Sequence, residues 1–245
     1  QQPERRRRPR AAPGGDELHR RLTFTRSAFF IFSMIDTHDI TGLVLAGGRG
    51  TRMGGIDKGL QPFRGRPLAQ HALARPQPQV GTLLLHAHRN LAQYAALGAP
   101  YNAPVWPDGL ADYAGPLAGF LSGLEHCPTP WLLTVPCDTP LFPHDLAARL
   151  AAVAAREGSD IAIAAAPETN DMGHIRLRPQ PVFSLMHVRL LPSLLRFTAD
   201  GGRKIQAWAL AQRCSSVGFD QPGDDARAFF NTNTLAELQH LEQSA

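Results

Sequence analysis

A chain of 245 residues, 43% of them hydrophobic, is long enough for one α/β domain with a sizeable core. The formal charge of +4 is misleading, because residues 1–33 hold eight arginines against Glu4, Asp16 and Glu17; the remainder is nearly neutral and gives no case for a nucleic-acid-binding face on the domain itself. Three scattered cysteines, Cys127, Cys137 and Cys214, form no Cys-x-x-Cys pair, which argues against a disulfide framework and for reduced thiols in the cytoplasm.

Residues 1–33 read as foreign to the fold. The first ten have the composition of a disordered basic arm. The apolar run Ala28 to Ile35 is far too short to span a bilayer. Arg20 and Arg21 precede it, but no small-residue cleavage site follows. Met34 is a sensible start, so a disordered basic extension over 1–33 and one domain over 34–245 are expected. The alternative is an arm for nucleic acid or a membrane surface.

The segment from Thr41 to Lys58 carries the most information. Leu43 to Ala46 reads as a buried parallel strand. It runs into Gly47 and Gly48, then a basic turn with Arg49, Arg52 and Lys58. Glycines let backbone N–H groups approach a ligand closely, and the cations around that nest suit a polyphosphate. A Walker A loop would need Ser or Thr after its lysine, but Gly59 follows Lys58. A dinucleotide fingerprint would need a glycine five residues after Gly48, where Met53 stands.

A short helix over Pro67 to Arg75 is cut off by Pro76 and Pro78. A strand over Thr82 to His86 and a helix over Asn90 to Leu97 follow. His86 and His88 would share one strand face, but no Cys, Asp or Glu nearby completes a zinc site. Asp108 follows a short apolar strand and is a candidate for nucleotide contact or support of a metal. Asp112 reads as a helix cap, and Gly115-Pro116 opens a helix to His126 whose N-terminus could receive an anion. Gly119 would let that helix pack closely.

The strand Trp131 to Val135 runs straight into Asp138 before Pro140 breaks the chain. A carboxylate at a strand C-terminus can hold Mg²⁺ against a triphosphate, since that ion takes one or two carboxylates plus phosphate oxygens. Further on come a helix from Pro143 to Glu157 and a strand over Ile161 to Ala165. A loop or ribbon over Pro167 to Gln180 and a strand over Val182 to Leu185 follow. Helices are expected over Leu190 to Phe197, Gly202 to Leu210 and Leu235 to Leu241, with Asn233 or Thr234 as the last N-cap. Arg203 lies on a basic turn. Asn231 and Asn233, two apart, would point the same way on an extended strand, and their amides suit a pterin or purine edge.

Alternating strands and helices imply a single doubly wound, mostly parallel sheet with helices on both faces. Right-handed crossovers then bring the strand C-termini to one edge, where ligands bind.

The motifs LAGGRGTRMGGIDKG, DGLADYAGPLAG, PCDTP and FNTNT, in this order, resemble the molybdenum cofactor guanylyltransferase (MobA) family over Ile40 to Leu241. The resemblance implies a Rossmann-like nucleotidyltransferase fold, Mg²⁺, a cytoplasmic location, and transfer of GMP from GTP to molybdopterin phosphate with release of pyrophosphate. It implies that Leu45, Ala46, Gly47 and Gly48 line the nucleotide, that Lys58 meets its phosphates and that Asp108 contacts GTP. Asp138 would bind Mg²⁺ and GTP, and Arg203, Asn231 and Asn233 would face molybdopterin. His86 stands where the family often has an Asn in contact with GTP; histidine makes one of the two hydrogen bonds of an amide.

In-line attack by the molybdopterin phosphate needs no covalent intermediate and no essential general base. Lys58, Arg52 and the glycine-loop N–H groups would stabilise the leaving pyrophosphate. The expected protein is a monomer with transient contact to molybdenum-cofactor insertion machinery or apoenzymes. The rival readings are a cytidylyltransferase using CTP and a non-catalytic molybdopterin carrier.

Overall fold

The computed structural model describes residues 34–46, 56–107, 116–170, 172–232 and 234–243. Among the described residues seven strands make one sheet: β1 (Ile40–Leu45), β4 (Thr82–His86), β5 (Val105–Trp106), β6 (Trp131–Pro136), β7 (Ile161–Thr169), β8 (Ile175–His187) and β9 (Cys214–Gly218). Their order is β5-β4-β1-β6-β8-β7-β9. All pairings are parallel except those of β8, which runs antiparallel between β6 and β7. The mostly parallel sheet expected from sequence is therefore present, with one reversed strand inside it.

Side chains alternate across each strand, so successive residues of β1 serve two cores. Ile40 and Val44 join the face covered by α1 (Leu68–Ala74), α2 (Leu91–Gly98) and α4 (Leu146–Glu157). Leu43 and Leu45 join the face covered by α3 (Pro116–His126), α5 (Leu191–Ala199) and α6 (Ile205–Leu210). Helix α4 shows why this works. Leu146, Ala147, Leu150, Ala151 and Ala154 recur at helical spacing and are all buried. Each buried leucine contributes about 1.5–3 kcal/mol. The helix stops at Gly158, whose left-handed φ of 63° lets its N–H cap the carbonyls of Ala154 and Ala155.

A small satellite core joins α7 (Leu235–Gln243) to a two-stranded hairpin, β2 (Pro62–Phe63) and β3 (Arg66–Pro67). Arg64 and Gly65 both take positive φ, as a two-residue hairpin turn requires. Thr234 begins α7 with a reciprocal cap: Glu237 N–H donates to its Oγ1, and its own N–H donates to the Glu237 carboxylate.

Several boundaries differ from the sequence reading. Pro67 is the N-cap of α1 rather than its first residue, and Pro143 stands one turn before α4. The expected strand over Val182 to Leu185 is the buried end of the much longer β8. Of the loop or ribbon expected over Pro167 to Gln180, the ribbon is present, formed by the ends of β7 and β8 paired from Ala165 with Pro179 to Thr169 with Ile175. Strand β9 has no counterpart in the sequence reading. Residues 1–33 lie outside the described residues.

Candidate active site

The C-terminal ends of β1, β4 and β6 meet at one sheet edge. The Ala46 N–H donates to the His86 carbonyl (2.8 Å), and the Cys137 N–H to the Leu45 carbonyl (3.0 Å). Leu45, Ala46, His86 and Asp138 are thereby brought together, as the topology required. Lys58 joins them from a 3-10 turn, Lys58–Leu60. Its ammonium donates to Asp138 Oδ2 at 3.3 Å, with both side chains less than a fifth exposed. Burial pushes the Asp138 carboxyl above the ordinary aspartate range, although Lys58 pulls it down.

His86 is buried, and its ring lies against α3 at Gly119. A side chain at Gly119 would run into Leu45 and would sit 3.0 Å from His86 Nδ1, so the missing Cβ is what lets α3 close on the strand ends. His88 is exposed and does not share a face with His86, because β4 ends at His86. Pro116 opens α3 as expected.

Gly47, Gly48, Arg49, Arg52, Asp108, Asp112, Gly115 and Asn233 lie outside the described residues. Asn231 is exposed on a segment without strand structure, so the expected extended strand is absent there. The residue beside it makes the connection: Thr232 donates to the Asp138 carbonyl through both its N–H (3.0 Å) and its hydroxyl (2.9 Å). Arg203 is exposed, on the turn before α6 that the sequence foresaw.

Sequence reasoning missed the support beneath Lys58. Asp57 is buried, and its Oδ1 accepts from the Tyr94 hydroxyl (2.6 Å). Its Oδ2 accepts from Asn90 Nδ2 (2.9 Å) and lies 3.4 Å from Arg89 Nε. Burial, then the neighbouring Cys137 and Asp57, holds the Tyr94 phenol far above its usual range. The available signal was Tyr94 itself, a polar-tipped aromatic buried on the inward side of a short, alanine- and leucine-rich helix. All three cysteines are free thiols, and burial raises those of Cys137 and Cys214.

The mostly parallel sheet and the lysine–aspartate pair at its strand ends suit a nucleotidyltransferase. A sequence profile described as the MobA-like NTP transferase domain matches residues 42–215. The molybdenum cofactor guanylyltransferase of Acidovorax ebreus is 69% identical over 210 residues, covering 85% of this chain and 98% of that one. That of Bordetella petrii is 58% identical over 208 residues, covering 85% and 100%. The chain belongs to the molybdenum cofactor guanylyltransferase family. The crystal structure of molybdopterin-guanine dinucleotide biosynthesis protein A from Archaeoglobus fulgidus superposes with a TM-score of 0.64 at 23% identity, covering 83% of this chain and 97% of that one. The 4-diphosphocytidyl-2C-methyl-D-erythritol synthase of Anaerococcus prevotii gives 0.65 at 11%, covering 86% and 97%. These two share the fold. Among the described residues no helix is long and apolar enough to cross a membrane.

Proposed function

We propose that this protein transfers GMP from GTP to molybdenum-loaded molybdopterin, giving the guanine dinucleotide cofactor and pyrophosphate. The observation that carries the reading is the Lys58–Asp138 pair, 3.3 Å apart at the C-terminal edge of the parallel strands. An ammonium and a carboxylate there serve a polyphosphate in complementary ways: the lysine binds it directly, and the aspartate binds it through a cation.

Mg²⁺ fits this donor set, since it takes one or two carboxylates plus phosphate oxygens and the Asp138 carboxylate stands at the strand ends beside Lys58. Asp138 would hold the ion, which when bound supplies charge neutralisation to the phosphates. Lys58 stabilises the charge that builds on the leaving pyrophosphate, an electrostatic task for a pre-placed cation. Arg52 and the N–H groups of Gly47 and Gly48 are assigned the same phosphates. Leu45, Ala46, His86 and Asp108 form the nucleotide side. Arg203, Asn231 and Asn233 form the acceptor side, and Thr232 ties the Asn231 segment to the Asp138 turn. The attacking phosphate is already ionised, so positioning rather than proton abstraction sets the rate. In this reading the enzyme works as a cytoplasmic monomer with transient contact to insertion machinery or apoenzymes.

The test is nucleotide choice. GTP and CTP are each mixed with Mg²⁺ and molybdenum-loaded molybdopterin while pyrophosphate and dinucleotide are followed. Strong GTP preference is expected. CTP preference would move the protein to cytidylyl transfer, and turnover with neither would favour a carrier.

A further inference from the structure

Ile56 and Asp57 connect the glycine loop to Lys58, and both are held from a single place, the start of α2. Three residues within one turn and a half, Arg89, Asn90 and Tyr94, direct donors at Asp57 or its neighbour. Tyr94 and Asn90 occupy the two carboxylate oxygens, and Arg89 Nη2 donates to the Ile56 carbonyl (3.1 Å). On the other side, the Leu60 N–H (3.3 Å) and Gln61 Nε2 (3.1 Å) donate to the Asp57 carbonyl. Asn90 takes a left-handed φ of 54° where the chain turns into the helix. The Tyr94 hydroxyl comes so close to Gly59 that a Cβ there would collide with it and would also sit 3.2 Å from Cys137 Sγ. Gly59 therefore lies between the Tyr94 hydroxyl and the Cys137 thiol, with Tyr94 beneath the lysine turn.

A buried, charged hydrogen-bond cluster is an expensive way to fill space, because each group must be desolvated and matched. What it provides is a unique geometry. An apolar contact at Asp57 would leave the peptide free to slide or rotate; a carboxylate fixed at both oxygens does not. The residue whose backbone is fixed next is Lys58.

We propose that Asp57 and Tyr94 are positioning residues for Lys58: the Tyr94–Asp57 hydrogen bond sets the backbone from which the lysine ammonium reaches the phosphates. The inference rests on the nucleotidyl-transfer reading above. It makes the helix after the second parallel strand part of the machinery of the first loop, although its residues act only through the chain.

The test is a double-mutant cycle with Tyr94→Phe and Lys58→Ala, measured as kcat and as KM for GTP, with Tm recorded for every variant. Tyr94→Phe is expected to lower kcat about tenfold and to change KM less than about threefold, since small misplacements cost rate before binding. In the Lys58→Ala background the same change is expected to cost less than about twofold, because the group being placed is gone. Asp57→Asn, which keeps the shape but weakens the acceptor, is expected to lower kcat similarly and to be non-additive with Tyr94→Phe. Equal losses in both backgrounds, or undiminished kcat in Tyr94→Phe while Lys58→Ala is crippled, would overturn the proposal and leave the nucleotidyl-transfer reading intact. Undiminished turnover in Lys58→Ala would remove the lysine from the reaction and the proposal with it. Should Tyr94→Phe fold poorly, the Asp57→Asn and Lys58→Ala cycle gives the same decision.

Discussion

Replacing Asp138 by Asn should separate stability from function, with opposite signs. At 3.3 Å and an effective dielectric of about 20, Lys58 attracts the carboxylate by about 5 kcal/mol gross. Burial outweighs this, since the carboxyl stays above its ordinary pKa. A raised folded pKa means that the folded state holds the proton more tightly than the unfolded state. Its contribution to stability is complete below the unfolded value and is lost as pH rises through the folded one. At neutral pH the charged carboxylate is therefore a net cost to the ligand-free fold. Asparagine removes the charge, keeps the shape and still accepts a hydrogen bond from Lys58. The expected Tm in Asp138→Asn, by scanning calorimetry without ligands, is unchanged or raised by about 1–3 °C. Turnover should fall at least about 100-fold, the usual cost of losing a pre-placed charge at a reacting centre. A Tm drop beyond about 4 °C would show that the carboxylate stabilises the fold through Lys58. Turnover within about threefold of wild type would show that Asp138 takes no part in the chemistry.

Gly59→Ala should cost about 2 kcal/mol by overpacking, because the new methyl meets the Tyr94 hydroxyl and Cys137; a Tm fall of about 4–8 °C checks it. Asp160 is held below the ordinary aspartate range by hydrogen bonds from Arg213 and then Arg189, against an opposing effect of burial. That stability is complete above about pH 4 and is lost as pH falls through the lower folded value, so Asp160→Asn should lose less stability than wild type as pH falls from about 4 to 2 in urea melts. A chain beginning at Met34 should keep full turnover, since the family match starts at residue 42 and the alignment that spans 98% of the Acidovorax relative leaves the surplus on this chain's side. Reduced turnover or solubility would assign residues 1–33 a role.

What could be read from sequence was whatever leaves a one-dimensional trace. The apolar run before Gly47 and the run before Asp138 gave β1 and β6 because parallel central strands are buried on both faces. Their ends then placed Asp138 and Lys58 on one edge. The ribbon end of β8 could be read only as loop or ribbon, since Ile175 and Leu177 alternate with Arg176 and Arg178 among prolines and stay exposed. Strand β9 hid because a five-residue edge with Ser215 and Ser216 has little apolar pattern. Thr232 was overlooked between two asparagines, whose amides carry the more obvious chemistry. Asp57 and Tyr94 lie 37 residues apart, and nothing in either local stretch announces the other.

The clasp of Thr232 on the Asp138 carbonyl spans 94 positions of sequence. A ribosome adding about 5–20 residues per second needs roughly 5 to 20 seconds to cover that distance. For that interval the growing chain already holds its glycine-rich segment, lysine and aspartate, yet the residue that clasps the Asp138 turn has not been made. The turn that carries Asp138 thus receives its clasp well after its own strand has been made, and a chain cut off between the two would lack it however well its sheet had formed.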